Sequence, residues 1–520
     1  MLPVAAAMGD NVRSKHTLDK DLGRLAQIEE ASGFVARGLM APGLALLFLI
    51  LAALTAALYV FGQPHALFVV LAAAIAAYLA MNIGANDVAN NVGPAVGAKA
   101  MTMVGALALA AIFEAVGALV AGETVVATIS AEIIEPSAIS QPAVMARLML
   151  AGLISSALWI NFSTFIGAPV STTHSIVGGV IGAGAAAVGI GAVNWASVAM
   201  IATSWIATPF LSAAVAIAFL AFVKTAIIYQ DDKIAAARRW IPVLVALMTG
   251  CFATYLTVKL FPGAGWLTAP LIGGLFFSLA WIGSKRSIAR QSQNMENRNR
   301  SLRRLFRMPL IGSAALLSFA HGANDVANAV GPLAAIVHAA RSGEAAAIVD
   351  IPLWVMAIGA FGISCGLLLY GPKLVRIVGG EITKLNPMRA FCVALAVAII
   401  VIAASWFGLP VSSTHTAVGA VFGVGLFREW YIANSAHRQA YLQRRQQAAI
   451  RNSASPLKDE DEEDAEDDGL PQKRVSAKEL ERRRLVRRAH VVTILAAWAT
   501  TVPAAGLLAA LIFLTLEAFA

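Results

Sequence analysis

Long apolar runs constrain the fold of this chain more than any other feature of its sequence. Residues 38–62, 195–222 and 388–408 each reach or exceed the roughly 20 residues that a helix needs to cross a bilayer. Charged residues make up 13% of the chain, whereas soluble domains carry about a quarter. We therefore predict an all-α polytopic membrane protein that is not an enzyme.

The hydropathy pattern predicts about 13 membrane segments. They lie at residues 38–62, 66–86, 102–122, 145–166, 174–192, 195–222, 240–261, 265–283, 310–331, 349–371, 388–408, 416–427 and 491–518. The segments 174–192 and 416–427 are short and rich in glycine, which is typical of broken or re-entrant half-helices.

Basic residues concentrate in four loops, and these loops set the predicted orientation. The loops are residues 223–239, 284–309, 373–387 and 428–490. Thirteen crossings with a cytoplasmic N-terminus place all four loops in the cytoplasm, as the positive-inside rule requires. The net charge of +9 therefore indicates a multi-pass protein of the cell (inner or plasma) membrane, in contact with its lipids. No nucleic acid partner is predicted.

Two polar motifs each occur twice. Gly-Ala-Asn-Asp-Val-Ala-Asn stands at Gly84–Asn90 and again at Gly322–Asn328. A hydroxyl-rich motif that begins with proline and ends in histidine and another hydroxyl stands at Pro169–Ser175 and again at Pro410–Thr416. Seven predicted segments begin from residue 66 up to residue 309, so the span before Asp87 and the span that carries Asp325 run in opposite directions and the repeats are inverted. Inverted repeats in transporters assemble one site from two halves.

The repeats and loops predict eight parts of the chain. They are a cytoplasmic tail (1–37), an extra transmembrane span (38–62), the first transport repeat (66–222), two connecting spans (240–283), a basic cytoplasmic loop (284–309), the first part of the second repeat (310–427), a charged cytoplasmic linker (428–490) and the final span (491–520). The span 38–62 begins too late and is too long for a cleaved signal peptide.

The first motif supplies candidate cation ligands. Asp87 with Asn90, and Asp325 with Asn328, put a carboxylate and an amide oxygen three residues apart on one helical face. Such oxygen ligands suit Na⁺, and a carboxylate could instead carry H⁺. Helix capping is the structural alternative, but two copies at matched positions favour a site. A buried aspartate is costly in a membrane unless it is paired, protonated or bound to a cation.

The second motif supplies candidate anion donors. Proline followed by hydroxyls favours a helix start, and a helix N-terminus with free amides binds anions. The candidate donors are Ser171, Thr172, Thr173, Ser412, Ser413 and Thr414. We predict accessory roles for Asn86, Asn324 and Glu114, and orienting roles for His174 and His415.

Lysine and arginine are missing around these motifs, at residues 148–223, 308–340 and 390–427. A desolvated oxyanion needs a compensating charge, and a co-transported cation would provide it. The sequence therefore predicts symport. Acceptor oxygens beside the donors favour monohydrogen phosphate, which carries a proton to donate, over sulfate.

The paired motifs closely resemble those of the inorganic phosphate transporter family, as does the stretch Gly380–Pro387. The resemblance covers about residues 66–222 and 310–518. It implies a secondary active transporter that imports inorganic phosphate by cation symport through alternating access, with inverted repeats and often as a homodimer. It also implies a cation site at Asp87, Asn90, Asp325 and Asn328 and a phosphate site at the six hydroxyls. The first motif leans towards Na⁺ over H⁺, and no other cofactor is implied.

Two other functions remain open at the level of sequence. A sulfate permease of the same architecture is the nearer one, because some relatives carry sulfate. An intramembrane aspartyl protease is the more remote one, since two membrane aspartates could share a proton. That protease would need neither the hydroxyl-rich half-helices nor a repeated cassette.

Overall fold

The computed structural model describes residues 39–139, 141–166, 170–263, 265–342, 349–381, 385–451 and 488–519. The predicted tail 1–37 lies outside them. Within the described ranges the regular structure is helical, apart from one isolated bridge between Ile134 and Val193. Residues Leu49–Ala520 form one structural unit that holds every candidate site residue, and residues 39–48 of the other unit begin the first helix.

The helices that precede the second copies of both motifs are numbered in chain order. They are α1 Leu39–Val60, α2 Ala66–Gly97, α3 Met103–Ala121, α4 Glu123–Ala127, α5 Pro142–Ile166, α6 Thr172–Val188, α7 Trp195–Val223, α8 Lys233–Leu260, α9 Thr268–Gln291 and α10 Asn299–Leu305. A π-helical turn follows α4 at Thr128–Glu132, and another follows α7 at Lys224–Ile228.

The remaining helices carry the second copies of both motifs. They are α11 Arg307–Asp325, α12 Ala327–Ser342, α13 Leu353–Glu381, α14 Pro387–Trp406, α15 Ser413–Asn434, α16 Ala436–Arg451 and α17 Arg488–Ala518. The first 24 residues of the predicted linker 428–490 are thus mostly helical, while its acidic run 459–468 lies outside the described residues.

Side-chain caps explain where several helices begin. Thr102 accepts from the Gly105 amide at 3.2 Å before α3, and Asp232 accepts from the Ala235 amide at 2.9 Å before α8. Each cap satisfies an amide that has no partner within its own helix.

Nine helices of the described residues are long and apolar enough to cross a membrane. They are Leu39–Val60, Ala66–Gly97, Met103–Ala121, Pro142–Ile166, Trp195–Ile228, Lys233–Leu260, Leu353–Arg376, Pro387–Trp406 and Ala499–Ala518. The chain is therefore a polytopic membrane protein. The other four predicted segments also fall on helices but do not meet this criterion. The segment 310–331 covers the end of α11 and the start of α12; Val326 between them keeps right-handed helical backbone angles, and its amide donates to the Gly322 carbonyl at 3.3 Å. The count of thirteen and the inverted arrangement stay predictions.

Each repeat packs against the other through close glycine contacts. A Cβ on Gly84 in α2 would clash with the backbone carbonyl of Ile363 in α13. Gly322 in α11 makes the equivalent approach to the carbonyl of Glu114 in α3. Small residues allow this approach of membrane helices. The two copies of the first motif therefore lie in matching helix crossings, and both crossings join one repeat to the other.

Candidate functional site

Asp87 lies within α2, which continues unbroken through the whole first motif, and it is 1% exposed. Its Oδ1 accepts hydrogen bonds from Thr414 Oγ1 (2.9 Å), Asn86 Nδ2 (3.2 Å) and Asn90 Nδ2 (3.4 Å). Its Oδ2 accepts one from Thr172 Oγ1 at 3.3 Å. Donors from α2, α6 and α15 thus supply both oxygens of this carboxylate.

Asp325 ends α11 and is fully buried. Its Oδ2 accepts a hydrogen bond from Ser413 Oγ at 3.1 Å and lies 3.0 Å from His321 Nε2. Its Oδ1 has no hydrogen-bond donor among the described residues, and neither does the buried Oδ1 of Asn328 in the first turn of α12. Buried oxygens without donors are costly. A bound cation would remove that cost.

The hydroxyl-rich motifs form the starts of α6 and α15. Ser171 Oγ accepts from the His174 amide, and Ser412 Oγ accepts from the His415 amide, both at 3.2 Å. Pro169 of the first motif lies outside the described residues. Both helices begin with a serine N-cap, as the sequence predicts. The hydroxyls that follow the caps are all buried, at Thr172, Thr173, Ser413 and Thr414.

Hydrogen bonds across the repeats combine the four motifs into one cluster. Thr414 of the second repeat donates to Asp87 of the first. In the opposite sense, Asn328 of the second repeat donates through Nδ2 to Thr172 Oγ1 (3.4 Å) and Thr173 Oγ1 (3.2 Å) of the first. Each Asp/Asn motif thus contacts the hydroxyl motif of the other repeat.

Asn324 fixes the chain that leads into α15. Its Nδ2 donates to Ser405 Oγ (2.9 Å) and Leu409 O (3.1 Å), and its Oδ1 accepts from the Val411 amide at 3.1 Å. These three bonds hold the start of the second hydroxyl motif against the end of α11.

A buried histidine joins the two aspartates to Glu114. His321 Nε2 lies 3.0 Å from Asp325 Oδ2 and 3.7 Å from Asp87 Oδ2. Its Nδ1 lies 3.4 Å from Glu114 Oε2. Glu114 Oε1 accepts a hydrogen bond from Asn91 Nδ2 at 2.7 Å. All five of these side chains are at most 1% exposed.

The two motif histidines meet each other outside this chain of contacts. The rings of His174 and His415 lie 4.4 Å apart, edge to face, and the His174 ring lies 3.9 Å from the Trp205 ring. Trp205 Nε1 donates to Pro410 O at 2.9 Å. The histidines thus pack the starts of α6 and α15 together, consistent with the orienting role that the sequence predicts.

A family model described as the phosphate transporter family matches residues 83–509, which include all four motifs. The chain belongs to the phosphate transporter family. A candidate phosphate permease of Helicobacter pylori strain J99 is 42% identical to it, over 95% of this chain and 98% of that protein. One from Pyrococcus abyssi is 37% identical, over 67% of this chain and 86% of that protein.

A solved structure resembles this phosphate transporter family member over most of its length. It is a sodium-dependent phosphate transporter and superposes with a TM-score of 0.73 at 28% identity. The match covers 87% of this chain and 100% of the other. The family resemblance drawn from the motifs is confirmed.

Most of the residues predicted for the site of this phosphate transporter family member lie in the cluster. Its direct members are Asp87, Asn90, Asp325, Asn328, Thr172, Thr173, Ser413, Thr414, Asn86 and Glu114. Ser171, Ser412 and Asn324 act one step away, through caps and loop contacts.

Sequence analysis did not identify His321 as a site residue of this phosphate transporter family member. No lysine or arginine makes the contacts described above, but an imidazole that can carry a positive charge contacts both carboxylates. A sequence difference between the two motif copies could have indicated His321. The residue before the motif glycine is Ile83 in the first copy and His321 in the second.

Proposed function

We propose that this protein imports inorganic phosphate by cation symport through alternating access. The single observation that supports this most is the cluster formed across the repeats. It brings two carboxylates and the hydroxyls of two half-helix starts within hydrogen-bond distance. Membership of the phosphate transporter family favours this function over an intramembrane protease.

The hydroxyls supply a direct mechanism for coupling. Thr172 and Thr414 donate to Asp87, and Ser413 donates to Asp325. A phosphate bound at the half-helix starts would need the same donors. A cation that neutralises the carboxylates weakens their hold on those donors and frees the hydroxyls for phosphate. Binding of the cation therefore favours binding of the anion, and the coupling is reciprocal.

The second repeat supplies the oxygens that are available to the proposed cation. Asp325 Oδ1 and Asn328 Oδ1 have no donors among the described residues, whereas donors occupy both oxygens of Asp87. Hard oxygen ligands of this kind suit Na⁺. The similar solved structure is that of a sodium-dependent phosphate transporter, which supports Na⁺ over H⁺ as the coupling ion.

The membrane orientation follows from the basic loops. We propose a cytoplasmic N-terminus in the cell membrane, lipid contact along the exposed apolar helix faces, and a homodimer. Apolar residues such as Phe165, Phe210 and Trp266 are 73–90% exposed in the single chain. Such faces suit lipid or a second copy.

Radiolabelled phosphate uptake into proteoliposomes tests the proposal. Sodium and proton gradients are imposed separately, with unlabelled sulfate or phosphate as competitor. We expect uptake that a sodium gradient drives, that unlabelled phosphate suppresses and that sulfate leaves unchanged. Protein-free liposomes of the same lipid composition provide the background.

The competitor and the gradients distinguish the remaining possibilities. Uptake driven by protons alone would overturn the choice of Na⁺. Suppression by sulfate at the concentration at which phosphate suppresses would favour the sulfate permease. Uptake by Asp87→Asn and Asp325→Asn variants with the cation dependence of the wild type would contradict the proposed roles of both carboxylates.

A further inference from the structure

The exposed face of α2 changes from apolar to polar part-way along the helix. Its first two turns carry Leu67 and Leu71, which are 74% and 54% exposed. From the fourth turn on this face is polar, with Tyr78, Asn82, Asn86 and Asn90. Tyr78 is 38% exposed, and the three asparagines are partly exposed. Residues four apart lie one turn above another, so these side chains form a stripe that winds gradually around α2.

The next span, α3, provides a comparison, because its exposed face has the same spacing and is apolar. That face carries Val104, Ala108, Ile112, Val116 and Leu119. Such a face suits lipid. A carboxamide is costly in hydrocarbon, and polar side chains within spans face the bundle interior or a water-filled cavity. The polar part of the α2 face therefore indicates contact with water.

Helix α5 places polar side chains beside the start of this stripe. Asn161 Nδ2 donates to the Tyr78 hydroxyl and to the Ala157 carbonyl. Asn161 is partly exposed, and Thr164, one turn further along the same face of α5, is exposed. The facing surfaces of α2 and α5 thus both carry amides and hydroxyls, which are neutral and can donate or accept hydrogen bonds.

The far end of the stripe belongs to the candidate site. Asn86 Nδ2 donates to Asp87 Oδ1 at 3.2 Å, and Asn90 Nδ2 donates to Thr414 Oγ1 at 3.0 Å. Asp87 itself is buried, whereas Asn86 and Asn90 are partly exposed. Exposure of polar groups therefore extends from Tyr78 to side chains that contact the carboxylate and a hydroxyl of the cluster.

We propose that the polar face of α2 lines a water-filled path along which phosphate reaches the hydroxyl cluster. Amides offer donors to the phosphate oxygens and acceptors to the phosphate hydroxyl. Neutral groups hold a dianion weakly, and a path needs binding that also permits release. This path presupposes the proposed phosphate transport, and along it Tyr78, Asn82 and Asn161 act outside the cluster itself.

Cysteine labelling of the full-length protein in phosphatidylcholine nanodiscs tests the path. Asn82→Cys is the main variant, and Tyr78→Cys gives a second reading because its exposed side chain tolerates replacement. Ile112→Cys is the matched control, since Ile112 lies mid-way along α3 and is 61% exposed on the apolar face. The label is an anionic methanethiosulfonate, which reacts with the thiolate form of cysteine. Peptide mass spectrometry reads the label at the introduced cysteine, so the native cysteines do not interfere.

We expect labelling at positions 82 and 78 to be about tenfold or more faster than at position 112, because hydrocarbon disfavours the charged thiolate. Saturating phosphate with sodium should slow labelling at position 82 about threefold or more, because phosphate then occupies the path. Labelling at positions 82 and 78 as slow as at position 112 overturns the proposal, and lipid or a second copy against this face gives that result. Fast labelling that phosphate leaves unchanged also overturns it, since phosphate would not use the water-filled face.

Phosphate uptake into proteoliposomes separates this path from the proposed function. Labelled Asn82→Cys should lose most of its sodium-driven uptake, whereas the reagent should leave uptake by Ile112→Cys unchanged. Uptake by the wild type together with slow labelling at position 82 contradicts the path alone. Absence of uptake by the wild type contradicts the proposed function itself, whatever the rate of labelling.

Discussion

The two copies of the Asp/Asn motif have the same sequence but different surroundings. Donors supply both oxygens of Asp87, whereas Asp325 keeps one oxygen without a donor among the described residues and contacts a histidine. Both copies are helical: the first lies within α2, and the second runs from α11 through Val326, which keeps helical backbone angles, into α12. Seven identical residues thus form two different sites, and neighbouring side chains set the difference.

Three substitutions between the repeats account for much of this difference. Gly84 packs on Ile363 as Gly322 packs on Glu114, so Ile363 is the counterpart of Glu114. In the same way Ile83 is the counterpart of His321, and Ala329 is the counterpart of Asn91. One helix crossing therefore carries a buried polar chain from Asn91 to His321, and its counterpart is apolar. Equal backbones with unequal side chains allow one repeat to specialise.

Asp325→Asn should have the largest effect. We expect the half-saturating sodium concentration for phosphate uptake to rise about 100-fold, because the substitution removes the buried charge that faces the cation. Asp87→Asn should affect the maximal uptake more than sodium affinity, since its carboxylate mainly accepts from Thr414 and Thr172. Uptake measured against sodium concentration in proteoliposomes separates the two. Equal rises in both variants would mean that the carboxylates share the cation equally.

His321→Ile should have the next largest effect, on stability. It gives the second copy the residue of the first, but it leaves Glu114 buried without its partner, at a cost of about 3–5 kcal/mol. The double variant His321→Ile with Glu114→Ile places both isoleucines of the other crossing here but leaves Asn91 Nδ2 without its acceptor, so it should regain part of that loss. Thermal unfolding in detergent provides the measurement.

Uptake by the same double variant is the sharper readout. We expect it to fold yet to transport little phosphate, because its polar chain is gone. If the double variant unfolds as early as His321→Ile alone, Glu114 and His321 do not act as a pair.

Much of the site was predictable from the sequence because both polar motifs occur twice. The repeat spacing predicted that Asp87, Asp325 and the hydroxyls of both half-helices belong to one site, and the serine caps followed from local helix chemistry. His321 was missed, because a single histidine in an apolar run is usually a packing residue. Its role depends on the distant Glu114, which only the tertiary structure brings to it.

Gly84→Ala and Gly322→Ala should have equal and intermediate effects. Both added methyl groups would clash with a backbone carbonyl in the facing helix, so we expect each to destabilise the fold by about 2 kcal/mol. Gly93→Ala is the control, because an added Cβ there meets no atom within 4 Å. A clear inequality between Gly84→Ala and Gly322→Ala in thermal unfolding would show that the two crossings differ in their backbones as well.

Ser413→Ala should have the smallest effect and act only on the second copy. Ser413 Oγ donates to Asp325 Oδ2 at 3.1 Å, so the variant removes one hydrogen bond worth about 1 kcal/mol. In the proposed coupling the same hydroxyl donates its hydrogen bond to phosphate once the cation has bound. Its loss should therefore raise the half-saturating phosphate concentration about fivefold. Sodium affinity should change less, because the carboxylate itself remains.

Thr414→Val makes the matching change at Asp87, where Thr414 also accepts a hydrogen bond from Asn90 Nδ2 at 3.0 Å. A larger rise for Thr414→Val than for Ser413→Ala would indicate that phosphate binding depends more on the first copy, although cation binding depends on the second.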